Sequence, residues 1–414
     1  MSVAEPTRAT SLSGTAAEPR LHIVVFAFAC RPGEGSEPGA GWLWSRMLAR
    51  AAEVWVVTRE NNREAIEKSL SSLPERDHLH FVYVGLPRPL HFWDWGRAVR
   101  AYYVVWQFTA LKEVKRLART INFDVAWHVT YANAWIGSAL PLAGLPFVYG
   151  PVGGGVRAPL RLVPSLGLRG AAYEAVRVVA QAGGRYLNPL ARVAWRKADL
   201  ILAQNPETRD WLPRRHRARV RVFPHVVLEA SAVRSGPRPR RTAVLAARLL
   251  PWKGGALALR AIAELGDWNL VVCGAGPDDR RLRRICRRSK LEDRVRFVGS
   301  VSRDEVNRVL AQEATILLHP SLHEDAGFVV AEAAALGLPV VCLDRGGPPL
   351  IAGESAVTVA SQGDVVAALA RALEEGAGRD ISIHDEWLLD KRASELTALF
   401  GSSFGAQALK ARAS

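Results

Sequence analysis

The sequence predicts an α/β protein built from two Rossmann-like, doubly wound domains that face a central cleft. Three observations carry this. Short β-branched and aromatic runs alternate with helical stretches along nearly the whole chain, and continuous apolar strands separated by helices belong to parallel sheets covered on both faces. Twelve such runs are more than one open sheet usually holds. A Pro/Gly/Arg stretch without periodicity, 231–241, separates them six and six and reads as a linker.

In the first domain (21–230) the runs are 21–30, 53–58, 80–84, 124–129, 146–150 and 199–204. In the second (242–384) they are 242–247, 269–274, 295–299, 314–319, 339–343 and 356–359. Beyond these, Trp387, Leu388, Leu389, Ala393, Leu396 and Leu399 recur at i, i+3, i+4, the stripe of an amphipathic helix. Residues 1–20 are rich in Ala, Ser, Thr and Glu and lack the apolar core of a signal peptide, so they read as a disordered leader.

Composition narrows the class. The 414 residues are 49% hydrophobic and 23% charged, with mean hydropathy +0.02, enough to bury a core and too apolar for a disordered chain. Cys30, Cys273, Cys286 and Cys342 form no Cys-x-x-Cys pair, which suits a reducing compartment and argues against structural zinc. No apolar run reaches the ~20 residues of a spanning helix, so a cytoplasmic protein is expected. The net charge is +15, and it is uneven: residues 1–225 hold 30 basic and 17 acidic side chains, the remainder 25 and 23. Such a field attracts phosphorylated substrates, acidic membrane or nucleic acid. No helix-turn-helix, zinc or RNP-like signature is present, so nucleic acid is not among the expected partners.

Ligands of open α/β sheets sit beyond the carboxyl ends of the strands, and the loops there hold the informative residues. After the run 314–319 comes Pro320-Ser-Leu-His-Glu324, then a helical pattern from Gly327. The amides of Gly327, Phe328 and Val329 would be unsatisfied donors at a helix start, suited to a phosphate or sugar hydroxyl. Glu332 lies inside that helix among apolar neighbours, where a carboxylate needs donors; a ribose diol supplies them. After 242–247, Arg248 and Lys253 place two cations at a strand end, one able to grip phosphate bidentately and the other a point charge. Gly274 opens a Gly-x-Gly that lets a ligand approach the backbone but lacks the third glycine of a dinucleotide site. In the first domain, Gly33, Gly35, Gly39 and Gly41 follow a buried strand and read as a loop that wraps an anion. His128 ends another strand, where it would face the cleft.

Taken in order, Arg248, Lys253, Gly274, Gly299, Glu324 and Glu332, with Gly337, Pro339, Gly346 and Gly347 behind them, resemble the retaining glycosyltransferases of family 4, whose motif is Glu-x7-Glu. The resemblance implies the GT-B fold, with a nucleotide-sugar in the second domain. It implies Arg248 and Lys253 on the diphosphate, Glu332 on the ribose, Glu324 with the 327–329 amides on the donor sugar, and the Gly299 region at the base. It further implies Gly39 and Gly41 near the diphosphate, His128 near the sugar, and residues 385–414 crossing back to the first domain. No metal or other cofactor is implied. Two positions depart from the family pattern: Ala326 stands where an aromatic residue is common, and Ala247 where glycine usually precedes the arginine.

The acceptor is expected to be a sugar, a lipid-linked molecule or a small molecule. Arg88, Phe92, Trp93, Trp95, Arg97, Tyr102, Tyr103 and Trp106 interleave rings and cations, as does the basic-apolar stretch 157–185. Both patterns suit peripheral docking on an acidic membrane. The competing readings are a nucleotide-sugar-binding protein without turnover, and a nucleotide-sugar epimerase on the same fold.

Overall fold

The computed structural model describes residues 20–86, 99–229, 241–379 and 381–403. The linker expected at 231–241 falls, but for Arg241, outside the described residues, as do nearly all of the leader and the ring-rich positions 88–97.

The first domain runs β1 (Leu21–Phe26), α1 (Ser36–Ala49), β2 (Ala52–Arg59), α2 (Arg63–Leu70), β3 (Leu79–Val84), α3 (Val99–Leu117), β4 (Val125–His128), β5 (Phe147–Val152), α4 (Gly167–Tyr186), α5 (Pro189–Lys197), β6 (Leu200–Ala203), α6 (Pro206–Trp211) and β7 (Val220–Val222). The second runs β8 (Thr242–Ala246), α7 (Gly255–Ala263), β9 (Asn269–Cys273), α8 (Asp279–Arg288), β10 (Val295–Gly299), α9 (Arg303–Glu313), β11 (Ile316–His319), α10 (Phe328–Ala335), β12 (Val340–Leu343), α11 (Pro348–Ala352), β13 (Ala356–Val359) and α12 (Val365–Ala377). A final helix, α13, spans Leu389–Ser403.

The two sheets have the orders β3-β2-β1-β4-β5-β6-β7 and β10-β9-β8-β11-β12-β13, and their strands pair in parallel throughout. Each is the doubly wound order in which strand numbering reverses beside the first strand, so each has a switch point next to β1 or β8. The fold class is as the alternating runs predict. One strand is additional: β7, three residues long, is too short to stand out as a run.

Local sequence explains where helices begin. Asn188 and Asn205 each precede a proline at the first helical position and accept amide hydrogen bonds from Leu190 and Thr208 at 2.9 and 2.8 Å. Without a proline, Ser302 and Asp364 accept from Glu305 N and Ala367 N at the starts of α9 and α12. Apolar residues pack on both faces of each sheet, which is why the strands read as unbroken apolar runs.

Chain segments also cross between the domains. Leu162 and Leu166, which precede α4, join the core of the second domain beside Leu245 and Leu257. Leu228 pairs with the 387–389 segment through hydrogen bonds of 2.7 and 2.8 Å. Helix α13 returns to the first domain, where Leu389 and Leu396 enter its core and Phe400 lies 5.0 Å from Trp127. No described helix is long and apolar enough to cross a membrane.

Candidate active site

The carboxyl ends of both sheets open on one cleft of about 940 Å³. Its second-domain wall holds Arg248, Lys253, Gly274, Glu324, Gly327, Phe328, Val329 and Glu332. The loops after β8, β9 and β11 place them together, next to the switch point.

Lys253 donates to Glu324 Oε2, and His319 Nε2 lies 3.5 Å from the same oxygen. Burial pushes the Glu324 carboxyl up, but Lys253 and His319 outweigh it and hold it well below the usual carboxylate range. Glu324 is therefore a fixed anion clasping a cation at the entrance to α10. Gly327, at φ +109°, makes the turn into that helix, a conformation that glycine adopts without strain. The first amides of α10, Phe328 and Val329, then meet the cleft without intrahelical acceptors. Arg248 lines the cleft, exposed, and its guanidinium makes no hydrogen bond or ion pair among the described residues.

Glu332 has a partner that the sequence reading did not identify. Arg303 Nε donates to its Oε1 at 2.7 Å. Burial still raises the Glu332 carboxyl above its ordinary value, with Arg303 opposing. One carboxylate oxygen is thus already served by protein, which amends the reading that a ribose alone would supply its donors. Arg303 was hidden because the contact joins residues 29 apart.

Several positions lie elsewhere than expected. Helix α1 begins at Ser36, so Gly39 and Gly41 are helical residues and not part of an anion-wrapping loop. A Cβ on either would sit 1.9 Å from Glu34 O or 2.0 Å from Ala29 O; they are glycines because the helix start packs against backbone. The residues that reach the cleft are Gly35, Ser36, Glu37 and Pro38. Gly299 ends β10 and accepts from Gly274 N at 2.7 Å, while its successors Ser300 and Val301 line the cleft. Gly274 does reach the wall, and a Cβ there would meet Ala247 O at 1.9 Å.

His128 is fully buried, outside the cleft lining. Its Nδ1 is 2.6 Å from Ser138 Oγ and its Nε2 is 2.9 Å from Tyr103 Oη. Burial lowers its pKa to about 4, so it is a neutral core residue at physiological pH. A strand end gives a side chain two faces to choose from, and this one faces α3.

Sequence reasoning passed over Glu37 and His225 of the first-domain wall and Asp325 of the second. Glu37 accepts from Tyr131 N at 2.9 Å, and its Oε1 lies 3.7 Å from Nδ1 of the buried His225. Burial raises the Glu37 carboxyl, but His225 and the Tyr131 amide more than offset it. Asp325, next to Glu324, reaches across the cleft: Gly154 N donates to its Oδ2 at 2.9 Å, and Asn205 Nδ2 to its backbone oxygen at 2.8 Å. Burial raises the Asp325 carboxyl above its ordinary value. Nearby, His323 stacks on Trp252 with ring centres 5.2 Å apart, and burial lowers its pKa to about 3.

Comparison with known proteins finds a family likeness for the second-domain wall. Residues 229–380 match the glycosyl transferases group 1. The second domain is therefore a glycosyltransferase group 1 domain, and the two-domain fold is of GT-B type. The chain is 32% identical over 139 residues to the phosphatidylinositol N-acetylglucosaminyltransferase GPI3 subunit of Saccharomyces cerevisiae, covering 33% of this chain and 30% of that protein. It is 31% identical over 132 residues to the 2-deoxystreptamine N-acetyl-D-glucosaminyltransferase of Niallia circulans, covering 30% and 33%. It is 29% identical over 262 residues to the D-inositol 3-phosphate glycosyltransferase of Streptomyces avermitilis, covering 56% and 55%. The chain thus spans between about a third and about half the length of these relatives. Among solved structures, the sucrose-phosphate synthase of Thermosynechococcus elongatus superposes with TM-score 0.60 at 16% identity, covering 94% of this chain and 100% of that one. Anabaena Alr3699/HepE, solved in complex with UDP, has TM-score 0.56 at 14% identity, covering 92% and 100%.

Proposed function

We propose that this chain is a retaining glycosyltransferase. In this reading it moves a sugar from a UDP- or GDP-linked donor to an acceptor hydroxyl, in polysaccharide, glycolipid or natural-product glycoside synthesis. The observation that carries the reading is the convergence of Arg248, Lys253 and the α10 amides on one cleft wall, beside the second sheet's switch point. A nucleoside diphosphate is the ligand whose charge those groups match. The binding of UDP and UDP-glucose by the structural neighbour HepE supports a nucleotide-sugar donor.

Glycosyl transfer passes through an oxocarbenium-like transition state, and charge grows on the departing diphosphate. Fixed donors aimed at that charge lower the barrier, each by about 3–4 kcal/mol in well-formed sites. Lys253 has three donors; Glu324 takes one and leaves others for phosphate. Arg248 adds a second cation. Glu332 and Arg303 together hold the nucleoside end, and Glu324 meets donor-sugar hydroxyls. The leaving phosphate takes the acceptor's proton on the same face. No divalent ion takes part, so chelation with EDTA leaves turnover unchanged.

A thermal-shift panel of UDP-, GDP-, ADP- and TDP-sugars tests the reading. A ligand at a hundredfold excess over Kd stabilises the fold by about 2.7 kcal/mol, and Glu332→Ala removes most of that. If no member of the panel moves the melting temperature, the reading is wrong.

A further inference from the structure

We propose that the outer face of α4 docks the protein on an anionic bilayer. The proposal extends the glycosyl-transfer reading and does not depend on it.

Helix α4 turns Glu174, Arg177 and Gln181 inward and its large aliphatic residues outward, the reverse of a helix that meets water. On the inner side, Glu174 accepts from Ala158 N at 3.0 Å, Arg177 donates to Val156 O at 2.8 Å, and Gln181 donates to Gly154 O at 2.6 Å. Small residues complete that side: a Cβ on Gly170 would meet Pro251, and one on Gly184 would meet Trp135. On the outer side, Leu168, Val176, Val179, Tyr186 and Leu187 are 92%, 69%, 72%, 63% and 79% exposed. At about 100° per residue these five fall on an arc of roughly 100°, and Leu160, just ahead of the helix, is 89% exposed. Isolated exposed apolar residues are ordinary, whereas a continuous stripe marks a surface that is covered in use.

The charge around the stripe selects what covers it. Residues 157–197 contain eight basic side chains and one acidic one, Glu174, and Glu174 is buried against Arg177. Arg161 and Arg169 are exposed beside the stripe. A second copy of the chain would set two positive faces together. Nucleic acid would meet the arginines and leave the leucines in water. An anionic bilayer satisfies both, with apolar side chains in the interface and guanidinium groups at headgroup level.

Position gives the docking a use. The inner side of α4 stacks Tyr173 on Trp252, ring centres 4.5 Å apart, one residue before Lys253. A bilayer on the outer face would lie about one helix diameter, ~10 Å, from that wall of the cleft, within reach of an acceptor held in the membrane by a lipid tail.

Flotation with vesicles of phosphatidylcholine alone, or containing phosphatidylglycerol, provides the test. The full chain should float with the anionic vesicles at low salt and less at high salt. The double variant Val176→Glu/Val179→Glu should lower binding at least about tenfold, with an unchanged circular dichroism melt because both positions are largely exposed. Absence of flotation with every vesicle, or equal flotation by the variant, would overturn the proposal. So would a vesicle-free dimer that the same variant converts to monomer, since a second copy would then be the occupant. Flotation without any response to nucleotide-sugars would leave the docking in place and remove the glycosyl-transfer reading.

Discussion

Lys253 and Glu324 form an ion pair in the wall of the proposed site, and a single substitution separates its structural role from the proposed chemical one. With Lys253 in place the Glu324 carboxyl is depressed, so the stability it contributes is present above the unfolded carboxylate range and is lost as pH falls through the folded value. Lys253→Ala leaves burial acting with less opposition. It should cost about 1–3 kcal/mol at neutral pH, the penalty of an unpaired and largely buried polar group, and the gap to the parent should close as the solution is acidified. Its turnover should fall by about 10²-fold or more. Melting curves across pH together with kcat check both statements; a stability gap that does not change with pH would show that Glu324 is not what Lys253 holds. His128 gives the opposite pattern. His128→Ala removes the partner of Ser138 and Tyr103, so stability should drop by about 1–3 kcal/mol while kcat per folded molecule stays near the parent value.

At the scale of elements, the helix that follows β1 distinguishes a packing glycine from a cleft-facing one. Gly41→Ala drives a methyl to 2.0 Å from Ala29 O, and the α1 start must shift, at about 1–3 kcal/mol. Gly35 has φ −86° and nothing within 4 Å of a built Cβ, so Gly35→Ala should fold as the parent does, and any effect should appear in donor affinity. Thermal melts and donor titrations on the two variants separate these outcomes. The same helix shows what was legible in the sequence and what was not. Doubly covered parallel strands announce themselves as apolar runs, so the two sheets were readable, whereas β7, with Arg221 between two valines, was not. Arg248, Lys253, Glu324 and Glu332 were noticeable because strand ends and helix starts are local features of a chain. Arg303, Glu37, His225 and the partners of Asp325 are matched only across tens of residues, and no local pattern announces them. Glycine spacing could not separate Gly35 from Gly41, because both readings place glycine at a turn into a helix.

For the whole molecule, the decisive feature is that a half-buried carboxylate, Asp325, bridges the domains. Asp325 belongs to the second-domain wall, yet its oxygens are held by Gly154, Asn205 and Thr208 of the first, and Gly346 N donates to Glu207 of the first domain at 2.7 Å. Burial raises the Asp325 carboxyl, so in the closed molecule it takes up a proton more readily than in water. The stability tied to that proton is present at low pH and is lost as pH rises through the raised value. At neutral pH the ionised side chain therefore opposes the closure that its hydrogen bonds favour. Asp325→Asn keeps an oxygen for Gly154 N and discards the charge. That variant should melt at or above the parent temperature at pH 7, and its melting temperature should depend less on pH than the parent's. Asp325→Ala keeps neither, and it should widen the cleft, raise the radius of gyration in small-angle scattering and lower kcat/KM about tenfold or more, as misplacement of reacting groups does. Should the Asn and Ala variants behave alike in scattering and melting, the Asp325 bridge would be a bystander and the domain contact would rest on the other crossing pairs, Gly346 with Glu207, Tyr173 with Trp252, and the Leu162, Leu166 and α13 packing among them.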